Sequence, residues 1–283
     1  MTAHTLNCAW KTAEVLAQFV RQIRLTMAKP RKRFGQNFLE DRGVVEQMVA
    51  AIGPRSGDRF IEIGPGLGAL TLPLLQRLEH LDVIEIDRDI VQDLRERHPA
   101  NRLTIHDGDA LEFDFAAIGR DLRVVGNLPY NISTPLLFHL TDHAGFVHDA
   151  HFMLQREVVE RMSAQPGTSE YGRLSVMLQY RWSIDSLFDV APSAFRPAPK
   201  VWSSVVRMIP HAKLPHIASD ENLFADLVRR AFGQRRKTLR NTLREKLAAS
   251  DFERLGIDPI ARGETLGVAD FVRIANLIAS DGT

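Results

Sequence analysis

The sequence predicts an α/β fold: an alternating strand-and-helix domain followed by a small all-helical one. Three observations carry this. From Gly43 onward, short apolar runs alternate with segments whose apolar residues recur at helical spacing. A glycine-rich stretch, EIGPGLGAL at 62–70, stands where a strand hands over to a helix. After Pro210 the strand-like runs stop and only helical spacing remains.

In chain order, Val44, Val45, Met48, Val49 and Ile52 mark a first helix. RFIEI at 59–63, LDVIEI at 81–86, RLTIH at 102–106, LRVVG at 122–126 and HFML at 151–154 read as strands, each bounded by turn formers. Helical stretches lie between them at 69–78, 88–98 and 133–141. Near-continuous apolar strands imply a parallel sheet covered on both faces, with ligands beyond the carboxyl ends of its strands. HAKLPH at 211–216 carries little pattern, and three helices are expected beyond it, at 220–232, 235–249 and 268–280. The expected division is therefore an extension over 1–28, an α/β domain over 29–210 and a helical domain over 211–283. No internal repeat or low-complexity tract is present.

Composition narrows the function. Among 283 residues, 36 Lys+Arg face 35 Asp+Glu, so any polyanionic partner must be met by local clustering and not by bulk charge. The single cysteine, Cys8, can make neither an internal disulfide nor a cysteine-rich zinc site, and the ten histidines include no HExxH pair. No metal is expected. No apolar run reaches the roughly 18 to 20 residues a bilayer span requires, and the opening segment lacks a secretory cleavage pattern. A cytoplasmic protein without membrane association is expected. Residues 1–28 carry Lys11, Arg21 and Arg24 against Glu14, with Val15, Leu16, Phe19, Val20 and Ile23 at helical spacing. A mitochondrial presequence can look like this; the favoured reading is an upstream start or a frayed helix, because Met27 opens a run (MAKPRKRF) that looks like a natural beginning.

Gly64, Gly66 and Gly68 permit a tight turn and a close backbone approach to a ligand. Gly64, Gly66 and Ala69 also satisfy the dinucleotide pattern GxGxxG/A, and Glu85 falls 21 residues after Gly64, so the loop alone does not separate a nicotinamide enzyme from a methyltransferase. An acid inside the preceding strand, Glu62, and the third glycine tilt the reading towards S-adenosylmethionine. Glu85 can accept from both ribose hydroxyls. Asp87 competes for that role, or caps the helix that follows. Asp109, in HDGDAL, can accept from an adenine amino group, whereas Asp107 reads as a turn residue.

After the fourth strand stands Asn127-Leu128-Pro129-Tyr130. An Asn, an apolar residue, Pro and an aromatic at a strand end suit methylation of an amino nitrogen conjugated with a ring. Such a nitrogen is a poor nucleophile until hydrogen bonds draw it towards tetrahedral geometry. The Asn127 side-chain carbonyl and the Leu128 backbone carbonyl can accept its two N–H groups, Pro129 fixes the turn, and Tyr130 can stack on an extruded base. Catalysis is then alignment plus stabilisation of developing positive charge.

The runs RKRFGQNFL at 31–39, EIGPGLGALT, VIEIDRD at 83–89, GNLPYNISTPLLFHL at 126–140, FMLQREVVERM at 152–162, YGRLSV at 171–176, FRPAPKVWSSVVRMIP at 195–210 and FGQRRKTLRNTL at 232–243 together resemble the small-subunit ribosomal RNA adenine dimethyltransferase family. The resemblance spans residues 29 to about 280. It implies a Rossmann-like S-adenosylmethionine-dependent methyltransferase domain with a small all-helical C-terminal domain. By resemblance, Asn37 and Leu39 join Gly64, Gly66, Glu85, Asp109 and Asn127 in holding S-adenosylmethionine, released as S-adenosylhomocysteine. Phe195 matches the family's second aromatic and would close the other face of the target base, in place of the core packing its residue type alone suggests. The implied reaction is N6,N6-dimethylation of two adjacent adenosines in a hairpin loop near the 3′ end of small-subunit (16S) ribosomal RNA, by a monomer acting on a pre-30S particle during small-subunit biogenesis.

Eight basic residues lie within 229–246 (Arg229, Arg230, Arg235, Arg236, Lys237, Arg240, Arg244, Lys246) against one acid, Glu245, and Lys29, Arg31, Lys32 and Arg33 form a second cluster. Arg236, Arg240 and Arg244 recur at i+4, which on one helix makes a basic stripe suited to phosphates. RNA specificity would then come from shape and an unpaired base. Three alternatives stay open: a large-subunit dimethyltransferase conferring antibiotic resistance, a non-catalytic assembly or nucleic-acid-binding factor on the same fold, and a nicotinamide dehydrogenase. The last leaves residues 127–130 unexplained.

Overall fold

The structure is a computed structural model that describes residues 36–234 and 236–281. The expected features of residues 1–28, and the basic residues Lys29, Arg31, Lys32, Arg33 and Arg235, lie outside the described residues.

Seven strands form the main sheet: β2 (Arg59–Ile63), β3 (Leu81–Glu85), β4 (Leu103–Asp107), β5 (Leu122–Asn127), β6 (Val147–Gln155), β7 (Trp182–Val190) and β9 (Ser203–Pro210), in the order β4-β3-β2-β5-β6-β9-β7. The first five run parallel. Their crossovers carry the helices α2 (Thr71–Leu75), α3 (Arg88–Arg97) and α4 (Ser133–Asp142), and α1 (Arg42–Ile52) precedes the sheet. Successive residues of β5 enter opposite layers, with Val124 in a core with Phe152 and Trp182, and Val125 in one with Phe60, Val83 and Met48. Burial on both faces is why β2, β3 and β5 are apolar almost throughout, whereas β4, at one edge of the sheet, is mostly half-buried and carries Thr104, His106 and Asp107. At Gly126 an added Cβ would sit 2.5 Å from the Ile63 carbonyl oxygen, so only glycine lets β5 approach β2 this closely.

The five strands read from the sequence are the parallel ones, as expected, and the structure adds strands the sequence reading did not include. Strands β9 and β7 extend the sheet antiparallel, β9 against β6 and β7 against β9. Strand β7 forms the edge and its residues are largely half-buried or exposed, so its sequence, WSIDSLFDV, interleaves polar residues. A second, two-stranded sheet pairs β1 (Phe38–Leu39) with β8 (Phe195–Arg196). Between β6 and β7 lie α5 (Arg156–Ser163) and α6 (Arg173–Gln179).

Beyond Pro210 the described residues contain no strand, as expected, and α7 (Glu221–Gly233) and α10 (Val268–Asp281) match two of the expected helices. The third does not form as one piece. Residues 236–248 hold a single helical turn, α8 (Leu239–Thr242), and a further helix, α9 (Ala249–Leu255), follows. Thr238, Asn241 and Thr242 bond locally: Asn241 Nδ2 donates to Thr238 Oγ1 at 3.1 Å, and the Thr242 hydroxyl donates to Thr238 O at 3.4 Å. The backbone amides of Leu239 and Arg240 turn outward to Ala261 O and Pro259 O. Phe224, Leu227 and Phe271 of this region share a core with Tyr171, Val176 and Tyr180, which precede Pro210. No helix among the described residues is long and apolar enough to cross a membrane.

Candidate active site

A cavity opens at the carboxyl ends of β2, β3, β4 and β5, where a parallel sheet places its ligands. Its floor is the glycine loop. Gly64, Gly66 and Gly68 all have positive φ (66°, 54° and 89°), and a Cβ on Gly66 would come within 3.2 Å of the Phe38 ring. Positive φ favours glycine at all three positions; the bare backbone of Gly66 leaves room for the Phe38 ring, while Gly64 faces open space. Behind it Glu62 is buried and accepts the Thr71 hydroxyl at 2.7 Å; burial, with Glu85 nearby, raises its pKa to about 7.

Glu85 ends β3. One carboxylate oxygen accepts the amides of Ile86 and Asp87, each at 2.9 Å, and the other accepts the Gly66 amide at 3.4 Å. Burial raises its pKa against these lowering hydrogen bonds. Asp87 does not line the cavity; its carboxylate caps α3, accepting the Asp89 amide at 3.1 Å. Asp109 lines the cavity and accepts the Leu111 amide at 2.9 Å, whereas Asp107 closes β4 as an exposed residue outside it.

Asn127 ends β5, and Leu128, Pro129 and Tyr130 continue along the cavity wall. Asn127 Nδ2 donates to the Asn37 carbonyl at 3.0 Å, leaving the side-chain oxygen as the acceptor. The Ser133 hydroxyl bridges the carbonyls of Pro129 and Tyr130 at 3.0 and 3.3 Å, so the turn is held from behind. The Tyr130 hydroxyl meets Ser203 Oγ at 2.7 Å, and burial raises the phenol's pKa, keeping it protonated.

Asn37 and Leu39 lie on the segment that closes the cavity opposite the glycine loop. Its strand pair aligns Leu39 with Phe195, and the Glu40 amide reaches Ala194 O at 2.8 Å. Phe195 itself is a correction: it is not among the lining residues, and its ring is buried in the core with Leu39, Met153 and Val205. The structure therefore brings together every other expected cofactor and catalytic residue and leaves Phe195 outside. It adds Ile86, which was not foreseen: it lines the mouth of the cavity and is 44% exposed, an apolar wall for a planar ring. An isoleucine between the acids of VIEID, unable to be a core residue beyond the strand end, was the available signal.

The basic stripe is also corrected. Arg236, Arg240 and Arg244 do not share one helix; only Arg240 is helical, with the others in turns. Arg229 and Arg230 are neutralised by Asp226, and Arg230 also by Glu245. Arg236, Lys237, Arg240 and Arg244 are exposed, with no ion pair among the described residues. No group of His, Cys, Asp and Glu among the described residues is arranged to hold a metal.

Sheet order and the residues at its carboxyl edge put the chain in the Rossmann-like class of S-adenosylmethionine-dependent methyltransferases. Within that class it belongs to the ribosomal RNA adenine dimethylase family, whose model matches residues 27–280. It is 62% identical over 252 residues to the ribosomal RNA small subunit methyltransferase A of Aromatoleum aromaticum, covering 89% of this chain and 95% of the relative. The protein of the same name from Thiobacillus denitrificans is 59% identical over 254 residues, covering 90% of this chain and all (100%) of the relative. Among solved structures, a dimethyladenosine transferase from Plasmodium falciparum is 26% identical with a TM-score of 0.74, covering 87% of this chain and 98% of that one. The 23S rRNA methyltransferase ErmE, 21% identical with a TM-score of 0.69 and covering 86% of this chain and 100% of that one, shares the fold.

Proposed function

We propose that the protein places two methyl groups on N6 of adenosine in small-subunit ribosomal RNA. The observation that carries this is the shared cavity: Asn127 and Tyr130 line the same space as Glu85 and Asp109, each held by a partner outside the turn. Family membership and the names of the relatives support the same reading.

The residues fit S-adenosylmethionine. A buried carboxylate at Glu85 suits a ribose, Ile86 and Asp109 suit an adenine ring and its amino group, and the bare backbone at Gly64 leaves room for the amino-acid end beside Asn37 and Leu39. When bound, the sulfonium supplies an activated methyl group, so the chain needs no strong base. Asn127 and the Leu128 carbonyl accept the two amino hydrogens of the target base and draw its nitrogen out of conjugation. Tyr130, tethered through Ser203, stacks on the base and shields the charge that develops. Monomethylated adenosine retains one N–H for the same acceptors, which permits the second transfer.

The proposal extends to two adjacent adenosines in a hairpin loop near the 3′ end, met in a pre-30S particle by a cytoplasmic monomer. The helical part, 211–283, serves as the RNA-docking domain through Arg236, Lys237, Arg240 and Arg244, with Arg31, Lys32, Arg33 and Arg235 adding phosphate contacts. The test supplies purified protein and labelled S-adenosylmethionine to small and large subunits lacking the modification. Label is expected in dimethyladenosine of the small subunit; label confined to the large subunit overturns the reading.

A further inference from the structure

We propose that Trp202 forms a stacking subsite for the unpaired nucleotide next to the target adenosine. The inference rests on the RNA-methylation reading and specifies how the same site takes hold of its substrate. An indole is costly to leave in water, and Trp182 is buried to 1% exposure; Trp202 is 46% exposed and follows Val201 at 45%.

The position of this ring is built. The Arg156 amide donates to the Trp202 carbonyl at 2.9 Å, and the Arg156 guanidinium lies 5.9 Å from the ring centroid. Glu160 and Asp189 hold that guanidinium at 3.4 and 3.9 Å. The next residue, Ser203, is the partner of the Tyr130 hydroxyl. Trp202 is therefore one residue from the group that positions the cavity's own aromatic.

Register gives the spacing. Asn127 aligns with Met153 and Met153 with Val205, while Gln155 aligns with Ser203, so Trp202 lies beyond the row of Asn127 at the same carboxyl edge of the sheet. From β5 to β9 is two strand intervals, roughly 10 Å at about 4.8 Å each, and Trp202 stands three residues beyond Val205, about 10 Å further along the strand direction, so it lies roughly 14 Å from Asn127. A base drawn into the cavity leaves its neighbour without a stacking partner, and an exposed indole at this remove offers one. Arg196 and Lys200, both exposed in the same segment, supply charge for the connecting phosphates. An exposed aromatic flanked by cations is how single-stranded nucleic acid is held without reading its sequence. That charge argues for a nucleotide as the occupant, and not an apolar protein segment.

The test measures binding of the full chain to a fluorescently labelled hairpin RNA with two adjacent unpaired adenosines in its loop. Trp202→Ala is expected to weaken binding by roughly 5- to 150-fold, the range for losing one base–aromatic stack, and Trp202→Phe to stay within about threefold of the parent. S-adenosylmethionine affinity and melting temperature should stay unchanged in both variants. Parent-like RNA binding by Trp202→Ala overturns the subsite; so does an RNA defect matched by an equal loss of cofactor affinity or of melting temperature, which would make Trp202 a packing residue. Failure of the parent to methylate small subunits counts against the proposed function alone, because the hairpin affinities still decide the subsite.

Discussion

Asn127 donates its side-chain amide to the backbone carbonyl of Asn37 across 3.0 Å, joining the end of the central strand to the segment that closes the cavity. One contact thus does two things: it fixes which end of the Asn127 amide points away from residues 36–40, and it ties that segment to the strand end that carries the proposed acceptor of the amino group. The donor is the side chain and the acceptor is backbone, so the contact depends on residue type at 127 and not at 37.

Asn127→Ala should lower turnover by roughly 10²-fold or more, the scale of losing one oriented polar group in a transition state, in a protein that still melts cooperatively. Asn127→Asp keeps an acceptor but sets a carboxylate oxygen against the Asn37 carbonyl. It should weaken S-adenosylmethionine binding as well, measured by calorimetry. Near-normal turnover in Asn127→Ala would remove this residue from the mechanism.

Glu85 and Asp87 separate by role. Glu85→Ala should weaken S-adenosylmethionine binding by about 1.5 to 3 kcal/mol, the range for a charge-assisted hydrogen bond. Asp87→Ala should instead cost about 1 kcal/mol of stability through its lost helix cap and leave cofactor affinity near the parent value. The reversed pattern would mean that the ribose is held by Asp87.

The parts legible in the sequence were those where local pattern and burial agree. Strands β2, β3, β5 and β6 were readable because both faces are buried, and the edge strand β4 because its short apolar run is bounded by turn formers; the ends of these strands delivered Glu85, Asp109 and Asn127 to one rim. Strand β7 was not, because an edge strand mixes polar and apolar residues for solvent, and helix spacing over 235–249 was overridden by the local hydrogen bonds of Thr238, Asn241 and Thr242. Phe195 shows the limit of carrying a role by motif: the same aromatic that would face a ligand instead packs under the segment it pairs with. His151 carried no signal at all, since only the fold buries it.

Both ring nitrogens of His151 are buried without a hydrogen-bond partner, and burial lowers its pKa to about 4, against the weaker pull of Asp149. A histidine depressed in the fold contributes stability that is present above its unfolded pKa of about 6.5 and lost as pH falls through 4. Up to about 3 kcal/mol is at stake over that window. Glu62, raised to about 7, acts with the opposite sign, its stabilising contribution being lost as pH rises from about 4.5 to 7. The difference between parent and His151→Gln therefore isolates the histidine: in urea unfolding at pH 7 and pH 5, the variant should lose less stability on acidification. Equal losses would show that His151 does not titrate with unfolding.

The last prediction separates RNA docking from chemistry. Arg236, Arg240 and Arg244 are exposed, unpaired among the described residues and absent from the cavity lining. Because turns and a single helical turn carry them, they do not line up along one helix face, and each should meet phosphate independently. Changing all three to Gln should leave S-adenosylmethionine binding intact while subunit affinity falls and its salt dependence flattens, each lost contact removing about 0.7 to 0.9 from the log–log slope. Because the contacts are independent, single substitutions should flatten the slope in near-equal steps. Retention of the parent slope by the triple variant would make the patch a solvated surface and move the search for the RNA surface to Lys29, Arg31, Lys32 and Arg33.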